Sequence, residues 1–292
     1  MSKICIVFDR LRTEEKMLQK EASNLGHDVV MLDAKITQIN TDSKKEDYGF
    51  INVLSLTQGG DPINFNVAGT VLEVKLSVPI KSGNSTELKM VFEGQVPPVI
   101  RRAGKNSSEG VALSMAQWYP KMAEYDFEGW HADPYIGREF HGVWGDFDVK
   151  LSIDKNYTVG GTGYLQNPED VGHGYGEKTT NDESELITWH FIAPNVHDFT
   201  WAADPNFTHD TIRVPGGPVL HFLYKSSLNE VYKKNWRRLQ PMAVKIIQHY
   251  SRSIGNYPYE QYSIIQGGDG GMEYGMCTLI TGEREFESIL GM

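Results

Sequence analysis

The stretch Asp146-Phe147-Asp148-Val149-Lys150-Leu151-Ser152-Ile153 alternates polar and apolar residues without a break. Successive side chains of a strand point to opposite faces, so a period of two puts Phe147, Val149, Leu151 and Ile153 on one buried face and leaves the other in water. Such half-solvated strands belong to antiparallel sheets. The pattern recurs upstream, where Leu72, Val74 and Leu76 alternate with Glu73 and Lys75, and where Leu88, Met90 and Phe92 repeat the spacing. Leu186 to Ile192, Phe199 to Ala203 and Val219 to Tyr224 are further strand candidates, separated by segments rich in Gly, Pro and Asn. Residues 51–224 therefore read as one large antiparallel β domain.

The flanks have other textures. Ile4 to Phe8 is a short apolar strand of the kind buried in a parallel sheet. Thr13 can cap a helix carrying Glu14 and Glu15 in its first turn and Met17, Leu18, Ala22 and Leu25 at helical spacing, with Gly26 as its stop. His27 to Leu32 completes a β-α-β piece over residues 1–48, and Lys44-Lys45-Glu46-Asp47 is the seam to the β domain. Two strands cannot cover both faces of their own sheet, so this piece is expected to dock poorly. After Tyr224 the period changes again. Leu228, Val231, Tyr232, Trp236 and Leu239 line a helix face, and Pro241 suits the first turn of a second helix with Met242, Ile246, Ile247 and Tyr250. Tyr262 to Ile265 and Met276 to Thr281 read as two strands around a glycine-rich turn. The fold class is thus mainly β with α/β parts, in three segments: 1–48, 51–224 and 225–292.

A formal charge of −10 over 292 residues argues against a nucleic-acid or anionic-membrane binder, which needs clustered Lys and Arg. The basic run Lys233 to Arg238 is read as the wet face of a helix. Cys5 and Cys277 are too few for a disulfide scaffold and are read as free thiols. Charge interrupts the N-terminal apolar run early, and no later run approaches the ~20 apolar residues of a membrane span, so the chain is expected in the cytoplasm.

The chemistry sits in Gln266-Gly267-Gly268-Asp269-Gly270-Gly271-Met272-Glu273-Tyr274. So many glycines let another backbone approach closely while a carboxylate points into the same space, which suits a peptide-binding edge. The same residues alone also fit a tight turn beside a solvated glutamate. The segment resembles the Gly-x-Met-Glu-Asn exopeptidase motif of M1-family zinc aminopeptidases, with Gly270, Gly271, Met272 and Glu273 matching and Tyr274 in place of Asn. In that family the glycine-rich strand pairs with the substrate backbone, and the glutamate matching Glu273 holds the free α-amino group. A carboxylate suits an ammonium through a charge-assisted hydrogen bond.

The resemblance extends over residues 51–292. Asn256-Tyr257-Pro258-Tyr259 precedes the motif and Thr278-Leu279-Ile280-Thr281-Gly282-Glu283 follows it as in the family. Gln117-Trp118-Tyr119-Pro120, Gly137 to Phe147 and Ala193 to Phe199 resemble the N-terminal β domain of a bacterial M1 subgroup. It implies a β domain of M1 type followed by the start of a thermolysin-like α/β domain. It also makes Gln117 a second candidate contact to the substrate amino group, with a structural amide as the other reading. Residues 1–50, through Ile4 to Arg12 and Glu14 to Leu18, resemble the opening of LysX, the ATP-grasp ligase of lysine biosynthesis; Asp9-Arg10-Leu11-Arg12 stands where a glycine-rich phosphate loop would follow Phe8, which argues against a dinucleotide site.

M1 catalysis needs His-Glu-x-x-His on a helix, two histidine ligands one turn apart and a glutamate base. The nine histidines, at 27, 131, 141, 173, 190, 197, 209, 221 and 249, include no pair four apart. No catalytic or metal-ligating residue is assigned and no cofactor is expected in this chain, although zinc belongs to the full-length family. The chain reads as a truncated or chimeric form that binds peptide N-termini weakly, with self-association through exposed apolar surface. A non-enzymatic β-rich scaffold is the alternative, with the aromatic stretch Trp118 to Trp144 as its surface, though core is the favoured reading of that stretch. An ATP-grasp ligase fragment is the third.

Overall fold

A computed structural model describes residues 3–8, 28–33, 49–98, 102–131, 142–179, 184–268 and 270–283. It is mostly β, 44% strand and 13% helix, in several antiparallel sheets, as the alternating pattern requires. The described residues fall into two compact units, one holding Val53–Phe92 with the described residues of Met1–Lys45 and Ala123–His141, the other the remainder.

In the first unit Lys3–Phe8 pairs in parallel with Asp28–Asp33, where the two N-terminal strands are expected. The helix expected between them and the seam at Lys44 to Asp47 lie outside the described residues. Strand Phe50–Gln58 lies between Asp61–Pro62 and Leu88–Gln95, and Phe65–Ala68 pairs with Val71–Val74. The buried Gln58 amide ties down the following loop: its Nε2 donates to Val78 O at 2.8 Å, and its Oε1 accepts from Val78 N at 3.1 Å. A small hairpin pairs Tyr125-Asp126 with Gly129-Trp130 and leaves Phe127 94% exposed at its tip.

The second unit contains the strand that decided the reading. Gly145–Asp154 pairs with Leu186–Val196 so that Val149 faces Phe191 and Leu151 faces Trp189, and its burial alternates residue by residue. Trp189, Phe191 and Phe199 are fully buried in the cluster beneath. A four-stranded sheet runs Thr158–Gly161, Trp201–Asp204, Leu113–Met115, Ala103–Lys105. Trp118 packs edge-on against Trp201 and its Nε1 donates to Phe199 O at 3.0 Å. The aromatic stretch Trp118 to Trp144 is nevertheless not core throughout: Tyr125, Phe127, Trp130 and Trp144 are exposed, because the hairpin and the start of the Gly145 strand carry them outward.

A five-stranded mixed sheet is built from Phe207–Arg213, Val219–Lys225, Gln261–Gln266, Cys277–Ile280 and Met272–Tyr274, in that order. Val219–Lys225 and Gln261–Gln266 are parallel, with helix Glu230–Ser253 as the crossover. Asn229 caps the helix, its side chain accepting from Tyr232 N at 3.0 Å. Where the sequence suggests two helices meeting at Pro241, a single helix runs unbroken with Pro241 inside it. Trp236, Leu239 and Ala243 form one stripe buried with Leu220, Phe222, Tyr224 and Ile264, and that burial outweighs the ~3 kcal/mol a central proline costs. Lys234, Arg237 and Arg238 lie on the exposed side. The closing segment also differs from a simple two-strand turn. Gln261–Gln266 and Cys277–Ile280 are parallel, and the extra strand Met272–Tyr274 folds back against the latter. No described helix is long and apolar enough to cross a membrane.

Candidate functional site

The glycine-rich segment leaves strand Gln261–Gln266 at the fully buried Gln266. Gly267 N donates to Ile280 O at 3.0 Å, so the chain stays against the neighbouring strand for one more residue. Gly268 and Gly270 then take φ of +102° and +113°, which only glycine adopts without strain. The chain reverses into Met272–Tyr274, with Glu273 opposite Thr278, whose hydroxyl donates to Met272 O at 3.1 Å. Asp269 lies outside the described residues. Met272–Tyr274 ends the strand order, so one side of it pairs with no described strand. Glu273 is exposed and Tyr274 is buried.

Gln117 reaches the same place from another sheet. It follows strand Leu113–Met115 in a left-handed backbone conformation, φ +49°, and its Nε2 donates to the Tyr274 hydroxyl at 3.5 Å. Burial pushes the Tyr274 hydroxyl up to about 12, while the Gln117 bond and the Arg102 charge oppose the rise. It therefore stays protonated near neutrality. The structure thus brings Gln117 to Tyr274, the strand neighbour of Glu273.

After Gln117 the chain carries two half-buried residues, Tyr119 and Lys121, that meet a buried carboxylate. The fully buried Asp198 accepts from Tyr119 Oη at 2.9 Å and from Phe199 N at 2.8 Å, and it pairs with Lys121. Burial lowers the Lys121 ammonium and raises the Tyr119 hydroxyl, with the Asp198 charge adding to the second shift and opposing the first. A cleft of about 290 Å³ beside them is lined by Tyr119, Lys121, Met122, Trp144, Asp146 and His197.

One contributor was not foreseen. Loop residues 106–112, between Ala103–Lys105 and Leu113–Met115, reach across to the motif. Glu109 Oε2 accepts from Gln266 Nε2 at 2.9 Å and from Gly282 N at 2.7 Å. Gln266 Oε1 in turn accepts from Lys225 N at 2.9 Å. The Lys225 ammonium lies against Asp204, at 2.8 and 2.9 Å to its two oxygens, and also donates to Gly110 O at 2.9 Å. Nothing in the local sequence marks Glu109, because its partners lie 157 and 173 residues away.

The described residues do not fit a zinc ion. No group of three or more His, Cys, Asp or Glu among them could hold a metal. His209 and His221 do come together, but their Nε2 and Nδ1 are hydrogen-bonded to each other at 2.9 Å. Two nitrogens each ~2.0–2.1 Å from one tetrahedral zinc stand farther apart than that. His190 is bonded to Asp148 at 2.8 Å and His131 to Asp126 at 2.9 Å, each a pair without a third ligand among the described residues. Cys277 is a free, buried thiol, held well above its ordinary range by burial.

No protein-family model matches the chain, and no curated protein sequence matches it. Solved structures do. A two-domain M1 zinc metallopeptidase variant bound to L-arginine superposes with a TM-score of 0.54 at 14% identity, over 80% of this chain and 52% of that one. An M1 zinc metallopeptidase variant from Deinococcus radiodurans bound to a Tyr-Ser-Ala substrate gives 0.54 at 15% identity, over 80% and 52%. The M1 zinc metallopeptidase from the same organism gives 0.53 at 13% identity, over 81% and 53%. The chain therefore shares the fold of part of these peptidases, its antiparallel sheets being consistent with their β domain, and it spans about half their length. None of these matches bears on the LysX resemblance of the first residues.

Proposed function

We propose that this chain carries the amine-recognition part of an M1-type aminopeptidase. The Glu273 carboxylate binds the ammonium of a peptide N-terminus, the free side of Met272–Tyr274 pairs with the peptide backbone, and Gln117 gives a second polar contact. The observation that carries the reading is the convergence of Gln117 on the motif strand, 157 residues away in sequence, at the Tyr274 hydroxyl. The M1-like fold supports it, since the solved neighbours include one bound to Tyr-Ser-Ala and one bound to L-arginine, both molecules with a free α-amino group.

Peptide hydrolysis is not proposed for these 292 residues by themselves. They contain no His-Glu-x-x-His, and the described residues form no metal site. One carboxylate and one amide supply few contacts against the cost of association, so binding is weak. The reading is tested by calorimetric titration of Tyr-Ser-Ala and its N-acetylated form. A charge-assisted bond is worth ~1.5–3 kcal/mol, so acetylation or Glu273→Gln should each weaken binding at least ~10-fold. Equal affinity for the two peptides would refute it.

A further inference from the structure

We infer that Glu109 is a positioning residue that fixes the spacing between Gln117 and Glu273, an inference that rests on the amine-recognition reading. Its loop is rigid by its own bonds: Ser107 N donates to Val111 O at 3.0 Å, Val111 N to the Ser107 hydroxyl at 3.0 Å, and Gly110 N to Ser107 O at 2.9 Å. The loop runs directly into strand Leu113–Met115, which delivers Gln117 two residues later. On its other side it grips the motif. Gln266 is the last residue of the strand entering the glycine segment, and Gly282 follows the strand against which Met272–Tyr274 is paired. A single carboxylate oxygen accepts from both, at 2.9 and 2.7 Å.

Close packing reinforces the grip. A Cβ at Gly268 would stand 2.3 Å from Ser107 Cβ, and one at Gly282 would stand 2.3 Å from the Gln266 carboxamide carbon. The glycines thus let the loop and the two strand ends meet without a side chain between them. The other carboxylate oxygen, Oε1, accepts from Glu283 N at 3.4 Å, and all three donors are neutral, so the contact requires an acceptor at that point in space and not a negative charge. Recognition groups must be held to about 0.5 Å to act together, and this acceptor joins the elements that carry the two of them.

The test is calorimetric titration of Tyr-Ser-Ala and N-acetyl-Tyr-Ser-Ala into the full chain and its variants. Glu109→Gln keeps a carbonyl oxygen at the same reach, whereas Glu109→Asp keeps the charge and withdraws the oxygen by one methylene. A positioning role predicts that Glu109→Asp loses ~10-fold in free-amine affinity while Glu109→Gln stays within ~3-fold of the parent, as expected for the loss of hydrogen bonds to an ionised acceptor. In a Gln117→Ala background, Glu109→Asp should cost nothing more, because the two changes act on one contact. Loss in Glu109→Gln with retention in Glu109→Asp would mean that the charge itself attracts the amine, and would overturn the positioning role. Every other pattern overturns it too. If the parent chain shows no preference for the free amine, the functional reading falls first and the inference with it. A parent that prefers the free amine with variants out of order sinks the inference alone.

Discussion

Acid should weaken this fold in a manner set by His209 and His221. His209 Nδ1 lies 3.0 Å from His173 O, a carbonyl that can only accept, so the proton is on Nδ1 and Nε2 is bare. His221 Nδ1–H then donates to that Nε2 at 2.9 Å, and both rings are neutral. Burial first, and then repulsion from His209, hold His221 down at about 3. Burial also lowers His209, against the His173 carbonyl and the Asp210 charge. The Tyr175 ring covers both, 4.2 Å from His209 and 5.2 Å from His221. In the unfolded chain both histidines protonate near ~6.5. The unfolded state therefore binds more protons below that pH, and stability is complete above it and lost as the pH falls. Each proton withheld is worth ~1.4 kcal/mol per pH unit, so His221 contributes a slope approaching ~1.4 kcal/mol per unit between about pH 6.5 and 5, where carboxylates contribute little, and the lowered His209 adds to it with the same sign. Urea unfolding at a series of pH values reads this slope directly. His221→Phe keeps the stacking on Tyr175 and removes one site, so its slope should be shallower by ~1.4 kcal/mol per unit. A parent whose stability is flat across that window, or a variant with the parent's slope, would refute the reasoning.

Three further outcomes follow from the same structure. Lys225→Met leaves the 1%-exposed Asp204 carboxylate without its cation and should cost ~3–5 kcal/mol in urea unfolding, with part recovered by Asp204→Leu in the same chain. Pro241→Ala restores a helix-interior N–H donor at an exposed position and should stabilise by up to ~3 kcal/mol; a lower melting temperature would mean that the proline shapes the helix to the sheet. The chain incubated with zinc should retain less than one equivalent after desalting and release nothing from aminoacyl fluorogenic substrates, since it has no His-Glu-x-x-His; stoichiometric zinc with turnover would contradict that assignment.

The strands were legible where one face meets water. Phe147, Val149, Leu151 and Ile153 alternate because Gly145–Asp154 is packed on one side only; in Leu88–Gln95 Met90 and Phe92 keep that pattern, whereas Leu88 is exposed. Strand pairing was not legible, because period two says which face is buried and nothing about the partner. The closing strands read as a simple turn, but they are parallel neighbours, and the segment linking them forms a third strand on the far side of Cys277–Ile280. Local propensity places a helix boundary at Pro241, but the tertiary stripe of Trp236, Leu239 and Ala243 carries the helix through it. The His209–His221 pair has no local sequence signal, because the two rings meet only across adjacent antiparallel strands, twelve residues apart. Glu273 stood out because glycines crowd it, whereas Glu109, an ordinary acid in a Ser/Gly loop, acquires its meaning only from Gln266 and Gly282.

The central claim is that a peptide amino group is held at the motif strand. Amide chemical shifts of the isotopically labelled chain, followed while Tyr-Ser-Ala is added, test it most directly. The account predicts saturable shifts at the backbone amides of Gly270 to Tyr274 and at the Gln117 side chain, strongly reduced for N-acetyl-Tyr-Ser-Ala and for Glu273→Gln. Shifts confined to other residues, or equal for the acetylated peptide, would contradict it.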